Sequence, residues 1–360
     1  MKKINVGVVG ATGMVGMQFL RVLAEKNLNI DKLYLFASAR TAGRTLWFGE
    51  QQLTVEVLSE ESFDRPMDYA FFCAGGAISQ AYAPFAASKG VVVIDNSSYF
   101  RMDPQVPLIV PEVNPEAMRN HRNIIANPNC STIQAAVVLG PLHQAYGLKR
   151  VVISTYQAVS GAGKAGIVDL LTGQQKLRWQ TQRLQDALAD PDHEKNPIDL
   201  LRPWQAYRLQ TMTDYIAGNV IPAIGEVDGE TGYTIEERKL MNETKKILAA
   251  PELKVSATAV RVPVINGHSE SLNIELAKPF SLPELKDILR HAPGISLLAD
   301  NPTPLKASGQ DGVLVGRVRA DTSCNAIDVF TSADNLRKGA ASNGVHILAL
   351  LVSQSAHSAK

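Results

Sequence analysis

Residues 4–16, Ile4-Asn-Val-Gly-Val-Val9-Gly10-Ala-Thr-Gly13-Met-Val-Gly16, decide the fold. Ile4–Val9 is a short β-branched run without polar alternation, the pattern of a strand buried on both faces. Three glycines spaced Gly-x-x-Gly-x-x-Gly follow, and Met14, Val15, Phe19, Val22 and Leu23 then fall at helical spacing. A strand turning through glycines into a helix points unpaired amides and the positive end of the helix dipole at one spot, where a dinucleotide phosphate can bind. The spacing departs from Gly-x-Gly-x-x-Gly, so the strand before and the helix after carry the inference.

Outward from this turn the alternation repeats. Lys32–Ala37 reads as a second strand, and Tyr69–Cys73 and Val91–Ile94 as further ones, closing on Ala74-Gly-Gly76 and Asp95-Asn-Ser-Ser98. Strands alternating with helices imply an α/β chain with a Rossmann-type, doubly wound parallel sheet that binds ligands at the strands' C-terminal ends. After the second strand an NAD site places an acid for the ribose 2′-hydroxyl. Ser38-Ala-Arg40 stands here instead, and arginine suits a 2′-phosphate, so NADP is expected.

Past residue 127 the character changes. Thr132–Tyr146 reads as a helix. Arg150–Tyr156, Ser256–Pro263, Glu270–Leu276 and Leu314–Val318 read as strands, the last three in one mixed or antiparallel sheet of a second, α+β domain. Leu171–Tyr215 is polar, Gln-rich and helical, broken near Asp190-Pro191 and Asn196-Pro197, and is expected at the surface or a subunit contact. Asn335–Ser353 reads as an amphipathic helix packing back on the first domain. The expected division is 1–127 plus 331–360, and 128–330.

At 360 residues, with 45% hydrophobic and 20% charged residues and a net charge of +1, the chain has room for two cores and shows no basic stripe for nucleic acid. No apolar run reaches the roughly 18 residues of a membrane helix. The N-terminus has no secretory pattern. Three scattered cysteines argue for a reducing compartment, and a cytoplasmic location is expected. The seven histidines show no ligand spacing, so no metal is expected.

Asn127-Pro-Asn-Cys130-Ser-Thr132 carries the chemistry. Pro128 stops any preceding helix and Ser131-Thr132 begins a new one, placing Cys130 where unpaired amides favour a thiolate and can cradle an oxyanion. Cys73 and Cys324 read as small buried hydrophobes. Arg261 and His268, in Arg261-Val-Pro-Val-Ile-Asn-Gly-His268, supply a carboxylate anchor and a proton carrier. Gly161-Ala-Gly-Lys164 lacks the glycine and hydroxyl of a P-loop, since Ala158 and Ala165 stand there, and reads as a flexible loop beside a nicotinamide.

Gly10–Gly16, Asn96-Ser-Ser-Tyr-Phe-Arg101, Val110-Pro-Glu-Val-Asn114, Asn127–Thr132, Tyr156-Gln-Ala-Val-Ser-Gly-Ala-Gly163, Asn219-Val-Ile-Pro222, Glu236-Glu-x-Lys239 and Arg261–His268 occur in that order. The ordered set, spanning nearly the whole chain, resembles aspartate-semialdehyde dehydrogenase. The resemblance implies that Cys130 carries an acyl thioester, that His268 is the acid/base and that Gln157 positions the acyl group. It implies that Arg261 clamps the substrate α-carboxylate and that Glu236 meets the α-amino group. Arg101 and Lys239 would bind phosphate, with Asn129 close by. NADP would be contacted by Gly10, Thr12, Gly13, Met14, Val15, Ser38, Arg40, Ser160, Gly161, Gly163 and Asn343. Glu237 leaves a register ambiguity beside Glu236, which the spacing to Lys239 resolves in favour of Glu236.

The implied reaction is the reversible reductive dephosphorylation of L-aspartyl 4-phosphate to aspartate 4-semialdehyde, in lysine/diaminopimelate, threonine and methionine biosynthesis, by a homodimer with a catalytic and dimerisation domain. The Leu171–Tyr215 stretch is longer and more polar than the family pattern. Two rivals stay open: an N-acyl-glutamyl-phosphate reductase-like enzyme, whose substrate has no free amine for Glu236, and a non-catalytic NADP-binding regulator. A glyceraldehyde-3-phosphate dehydrogenase is disfavoured, because Ser-Cys-Thr-Thr-Asn is absent.

Overall fold

A computed structural model describes residues 3–189 and 208–358. Ile4–Val9 forms β1 and runs through the glycine turn into α1, Met14–Glu25. Gly10 has a φ of +89°, and a Cβ on Gly16 would stand 2.4 Å from the Gly10 carbonyl oxygen. The first glycine therefore supplies a conformation that side chains resist, and the third lets the helix close on the strand.

The first sheet has seven strands in the order β3-β4-β2-β1-β5-β6-β7. They are β2 (Ile30–Ala37), β3 (Thr45–Phe48), β4 (Gln51–Val57), β5 (Tyr69–Phe72), β6 (Val92–Asp95) and β7 (Ile124–Ala126) besides β1, with α2 (Gly76–Ser88) between β5 and β6. All neighbours pair in parallel except β3 with β4. The expected doubly wound sheet is thus present, with an added antiparallel edge that Trp47 and the Gln51-Gln52 pair hide from an apolar-run search.

The second sheet has six strands, β11-β12-β13-β10-β8-β9. In chain order the rest of the molecule is α3 (Cys130–Tyr146), β8 (Leu148–Gln157), α4 (Gly163–Ala189), α5 (Ile235–Ile247), β9 (Lys254–Arg261), β10 (His268–Leu276), α6 (Leu282–His291), β11 (Ile295–Leu297), α7 (Pro304–Ala307), β12 (Val313–Ala320), β13 (Ala326–Ala333) and α8 (Ser342–Ser358). Strands β8 and β9 are parallel, while β8 with β10 and β10 with β13 are antiparallel, so the sheet is mixed. Strand β13 escapes sequence reading because Asp328, Thr331 and Ser332 interrupt its apolar pattern.

Alternation sorts the second sheet's residues by face. Val151, Ile153, Thr155 and Gln157 of β8 are buried, as are Val255, Ala257, Ala259 and Arg261 of β9. Helix α3 covers this face: Gln134 Nε2 donates to Thr331 Oγ1 at 2.6 Å and Gln157 Nε2 to Ser131 Oγ at 2.9 Å.

Helix α8 returns to the first sheet, where Val345, Ile347, Leu348 and Leu351 share a core with Val6, Val8, Phe19 and Phe71. Phe19 and Phe71 stack at 3.9 Å between ring centroids. Before α8, Arg337–Ala341 makes a π-helical turn. Of the polar segment, Leu171–Ala189 belongs to α4, which starts earlier, at Gly163; the expected breaks at Asp190-Pro191 and Asn196-Pro197 lie outside the described residues.

Candidate active site

Cys130 is the first residue of α3, as Pro128 and the following run require. Its N-cap is Asn129, whose Oδ1 accepts from the amides of Ser131 (3.0 Å) and Thr132 (3.3 Å). Those two amides are engaged by the cap in the ligand-free molecule, and the Ser131 amide also faces the Cys130 sulfur, where it favours the thiolate. A correction concerns the sulfur. Burial, then the Glu236 carboxylate, push the Cys130 thiol up to about 12 against the opposing charges of Arg101 and Arg261.

Cys130 is half-buried on the wall of a cavity of about 390 Å³. The same wall carries Gly13, Met14 and Val15 from the glycine turn, Asn129, Gln157, Arg101, Glu236, Lys239 and Arg261, and Ser160, Gly161 and Gly163. Residues from both sheets thus meet at one opening. A Cβ on Gly339, in the π-helical turn, would lie 2.7 Å from Cys130 Cβ, so the returning tail packs directly against the cysteine.

Parallel pairing of β8 with β9 puts Gln157 opposite Arg261 at the strands' C-terminal ends. Arg261 is buried and donates from Nη1 to the Ala158 carbonyl at 2.7 Å. His268 opens β10 and is fully buried. The Ala158 amide donates to His268 Nδ1 at 3.0 Å, so the neutral ring carries its proton on Nε2, which has no partner among the described residues. Burial and the Arg261 charge pull its pKa down to about 3, against Glu236, so the ring is neutral at physiological pH. His268 does not line the cavity itself. It stands behind Gly161, where a Cβ would come 3.3 Å from Nε2 and 2.9 Å from Arg261 Nη1. Gly161, with no side chain, packs directly on both groups: Arg261 lines the cavity, and His268 lies behind this window of bare backbone.

Helix α5 supplies the acidic and basic set. Glu236 Oε1 accepts from Asn129 Nδ2 (2.9 Å) and Gln157 Nε2 (3.3 Å), and Oε2 from Lys239 Nζ (3.1 Å). Burial raises its pKa, but Lys239 and these bonds outweigh it and the carboxyl is held below its ordinary value. Glu237 faces elsewhere: it closes a capping box with Thr234 and accepts from the Ala259 amide at 2.9 Å. The register therefore places Glu236, not Glu237, in the site.

Arg101 is buried, donating from Nε to Asn127 O (3.0 Å), from Nη2 to Asn96 O (2.9 Å) and from Nη1 to Glu243 Oε1 (3.1 Å). The other Glu243 oxygen accepts from the Asn129 amide at 2.7 Å. Glu243 thus ties Arg101 to the cysteine turn. Sequence reasoning missed it, although it lies on the Lys239 side of α5, four residues on.

The glycine turn fits a dinucleotide. The N-cap of α1 is Gly13, with no side-chain cap and no acid in the first turn, so the helix amides and dipole stay open to a phosphate. Thr12 Oγ1 lies 3.1 Å from Thr41 Oγ1, which joins this turn to the exposed one bearing Ser38 and Arg40. Three expectations change. Val159–Ala162 is a 3-10 turn leading into α4, not a flexible loop. Asn343 is buried away from the cavity, donating to Ile109 O and Asn127 Oδ1, and supports the Asn127 turn. Cys324 is exposed, and Cys73 lines the cavity, its Sγ donating to Val9 O. Among the described residues no helix is long and apolar enough to cross a membrane, and no His/Cys/Asp/Glu group could hold a metal.

Residues 5–121 match the model of the semialdehyde dehydrogenase NAD binding domain, and residues 139–338 that of the semialdehyde dehydrogenase dimerisation domain. The chain is 46% identical to an aspartate-semialdehyde dehydrogenase of Aquifex aeolicus, over 97% of this chain and 98% of that one. It is 44% identical to that of Bacillus subtilis, over 96% of each. Among solved structures, aspartate semialdehyde dehydrogenase II of Vibrio cholerae, complexed with ASA, superposes with a TM-score of 0.86 at 43% identity, covering 98% of this chain and 99% of that one.

Proposed function

Since the chain belongs to the aspartate-semialdehyde dehydrogenase family, we propose that it reversibly converts L-aspartyl 4-phosphate to L-aspartate 4-semialdehyde with NADP, through a thioester on Cys130. The observation that carries this is the meeting of Cys130, Gln157, Glu236, Lys239, Arg101 and Arg261 on one cavity wall with the glycine turn. Residues 1–127 with 331–360 are the cofactor-binding unit, and 128–330 the catalytic and dimerisation unit of a homodimer. The pathway is that to lysine/diaminopimelate, threonine and methionine.

Arg261 receives the substrate α-carboxylate and Glu236 the α-ammonium. Cys130 Sγ attacks the acyl carbon, the bond from that carbon to the phosphate oxygen breaks, and the thiol proton leaves with the phosphate towards Arg101 and Lys239. Gln157, fixed between Ser131 and Glu236, orients the acyl group. His268, with its proton on Nε2, is the acid/base: it gives that proton to the oxyanion of the tetrahedral adduct on Cys130 and takes it back as the adduct collapses to the aldehyde. Gly13, Met14 and Val15 would hold the NADP pyrophosphate, Ser38 and Arg40 its 2′-phosphate, and Ser160, Gly161 and Gly163 its nicotinamide end. Bound there, the cofactor supplies the hydride exchange.

A phosphate-dependent assay with aspartate semialdehyde tests this, run with NADP and with NAD and repeated on Cys130→Ala. NADP reduction strictly dependent on Cys130 is expected. Full turnover in Cys130→Ala, or turnover only with an N-acylated glutamate semialdehyde, would refute the proposal.

A further inference from the structure

Lys239 and Glu236, which the proposed function assigns to different parts of the substrate, are bonded to each other in the ligand-free molecule. Lys239 Nζ lies 3.1 Å from Glu236 Oε2, with its side chain about a third exposed (29%) and that of Glu236 only 10% exposed. The two carboxylate oxygens are not equivalent. Oε1 is held from both sides by Asn129 and Gln157, whereas Lys239 is the partner given to Oε2. The carboxylate is thus anchored through one oxygen and exchangeable at the other. Lys239, on a flexible four-carbon stem, is the mobile member of the pair.

We infer that this ion pair is a built-in stand-in for the substrate: the amino-acid ammonium displaces Lys239 from Glu236 and releases it to the phosphate site. The inference rests on the proposed roles of Glu236 and Lys239. Two ammonium groups crowded on one carboxylate oxygen repel each other in a partly buried cavity, so the arriving cation and Lys239 compete. The other phosphate anchor, Arg101, is paired with Glu243 at 3.1 Å in the ligand-free molecule. Before the amino acid binds, both cations of the phosphate site are therefore charge-balanced and attract an anion weakly. Afterwards one is free. Amino acid and phosphate bind with positive coupling, and by linkage phosphate strengthens amino-acid binding by the same factor. A site of this kind discourages phosphate from lodging where no acyl group can receive it.

The test is a kinetic matrix varying phosphate and aspartate semialdehyde at saturating NADP, joined to direct calorimetric titration of inorganic phosphate into the full chain with NADP present. In the wild type, the KM for phosphate should fall at least about fivefold as semialdehyde rises from well below to well above its own KM, the lower end of typical coupling. Glu236→Gln removes the carboxylate that detains Lys239. Calorimetry should then show phosphate binding at least about fivefold tighter without any amino acid, even if turnover is lost. Wild-type phosphate KM independent of semialdehyde, or unaltered phosphate affinity in Glu236→Gln, overturns the inference. Lys239→Met separates the two levels: weakened phosphate binding in that variant upholds the assignment of Lys239 whatever the coupling, and unchanged binding removes the assignment itself.

Discussion

Gly161→Ala is the most local perturbation of the catalytic pair. The added Cβ would lie 2.9 Å from Arg261 Nη1 and 3.3 Å from both Nε2 and Cε1 of His268. Ordinary contact begins near 3.4 Å, so the guanidinium must retreat by about half an ångström. It cannot do so freely, because Nη1 is bonded to the Ala158 carbonyl at 2.7 Å and the side chain is 6% exposed. A hydrogen bond to a charged group contributes about 1.5–3 kcal/mol, so forfeiting roughly half of one at the carboxylate clamp costs about 1.4 kcal/mol, or tenfold in semialdehyde KM. The methyl would also press on His268 Nε2 at 3.3 Å, and displacing an oxyanion donor typically costs at least about 10² in kcat. Steady-state kinetics should therefore show a drop of roughly three orders in kcat/KM, with the phosphate KM little changed and melting lowered by only a few degrees. A kcat/KM within twofold of wild type, in a variant of unchanged stability, would show that Gly161 is not the window described.

Glu237→Ala breaks the capping box and leaves the amides of Thr234 and Ala259 unpaired; melting should report a loss of about 2–3 kcal/mol, with the semialdehyde KM of the folded protein unchanged. Lys338→Met removes the partner at 2.7 Å from the Glu112 carboxylate and leaves it only His346 Nδ1 at 3.4 Å, and should cost about 1.5–3 kcal/mol by denaturant titration. Glu270 is fully buried, neither oxygen has a partner among the described residues, and burial raises its pKa well above the ordinary value. A carboxyl with a raised folded pKa costs stability once pH exceeds its unfolded pKa, near 4.3. Glu270→Gln should thus equal wild type in stability near pH 4 and gain on it by up to about 1.4 kcal/mol per pH unit above that, until the folded pKa is passed. A stability difference independent of pH would contradict a raised pKa for Glu270.

Some of this protein was legible in its residue order because local sterics set it. The glycine turn, the start of α3 at Cys130 and the placement of Glu236 one helical turn from Lys239 follow from backbone geometry within a few residues. The β3–β4 edge and β13 did not show, because their polar residues sit on exposed positions or face a polar site. Glu243 was invisible for another reason. It contacts Arg101 and the Asn129 amide, 142 and 114 residues away, and nothing in the run around it announces such partners.

The sequence by itself determined that a cysteine heads a helix and that Arg261 and His268 lie on a strand–turn segment seven residues apart. Only the tertiary structure decided their chemical states. Asn129 accepts from the amides at the helix end, burial and Glu236 push the thiol pKa up, and the Ala158 amide fixes the imidazole proton on Nε2. The physical reason is that protonation depends on desolvation and on charges brought from other elements, and those distances exist only after the chain has folded.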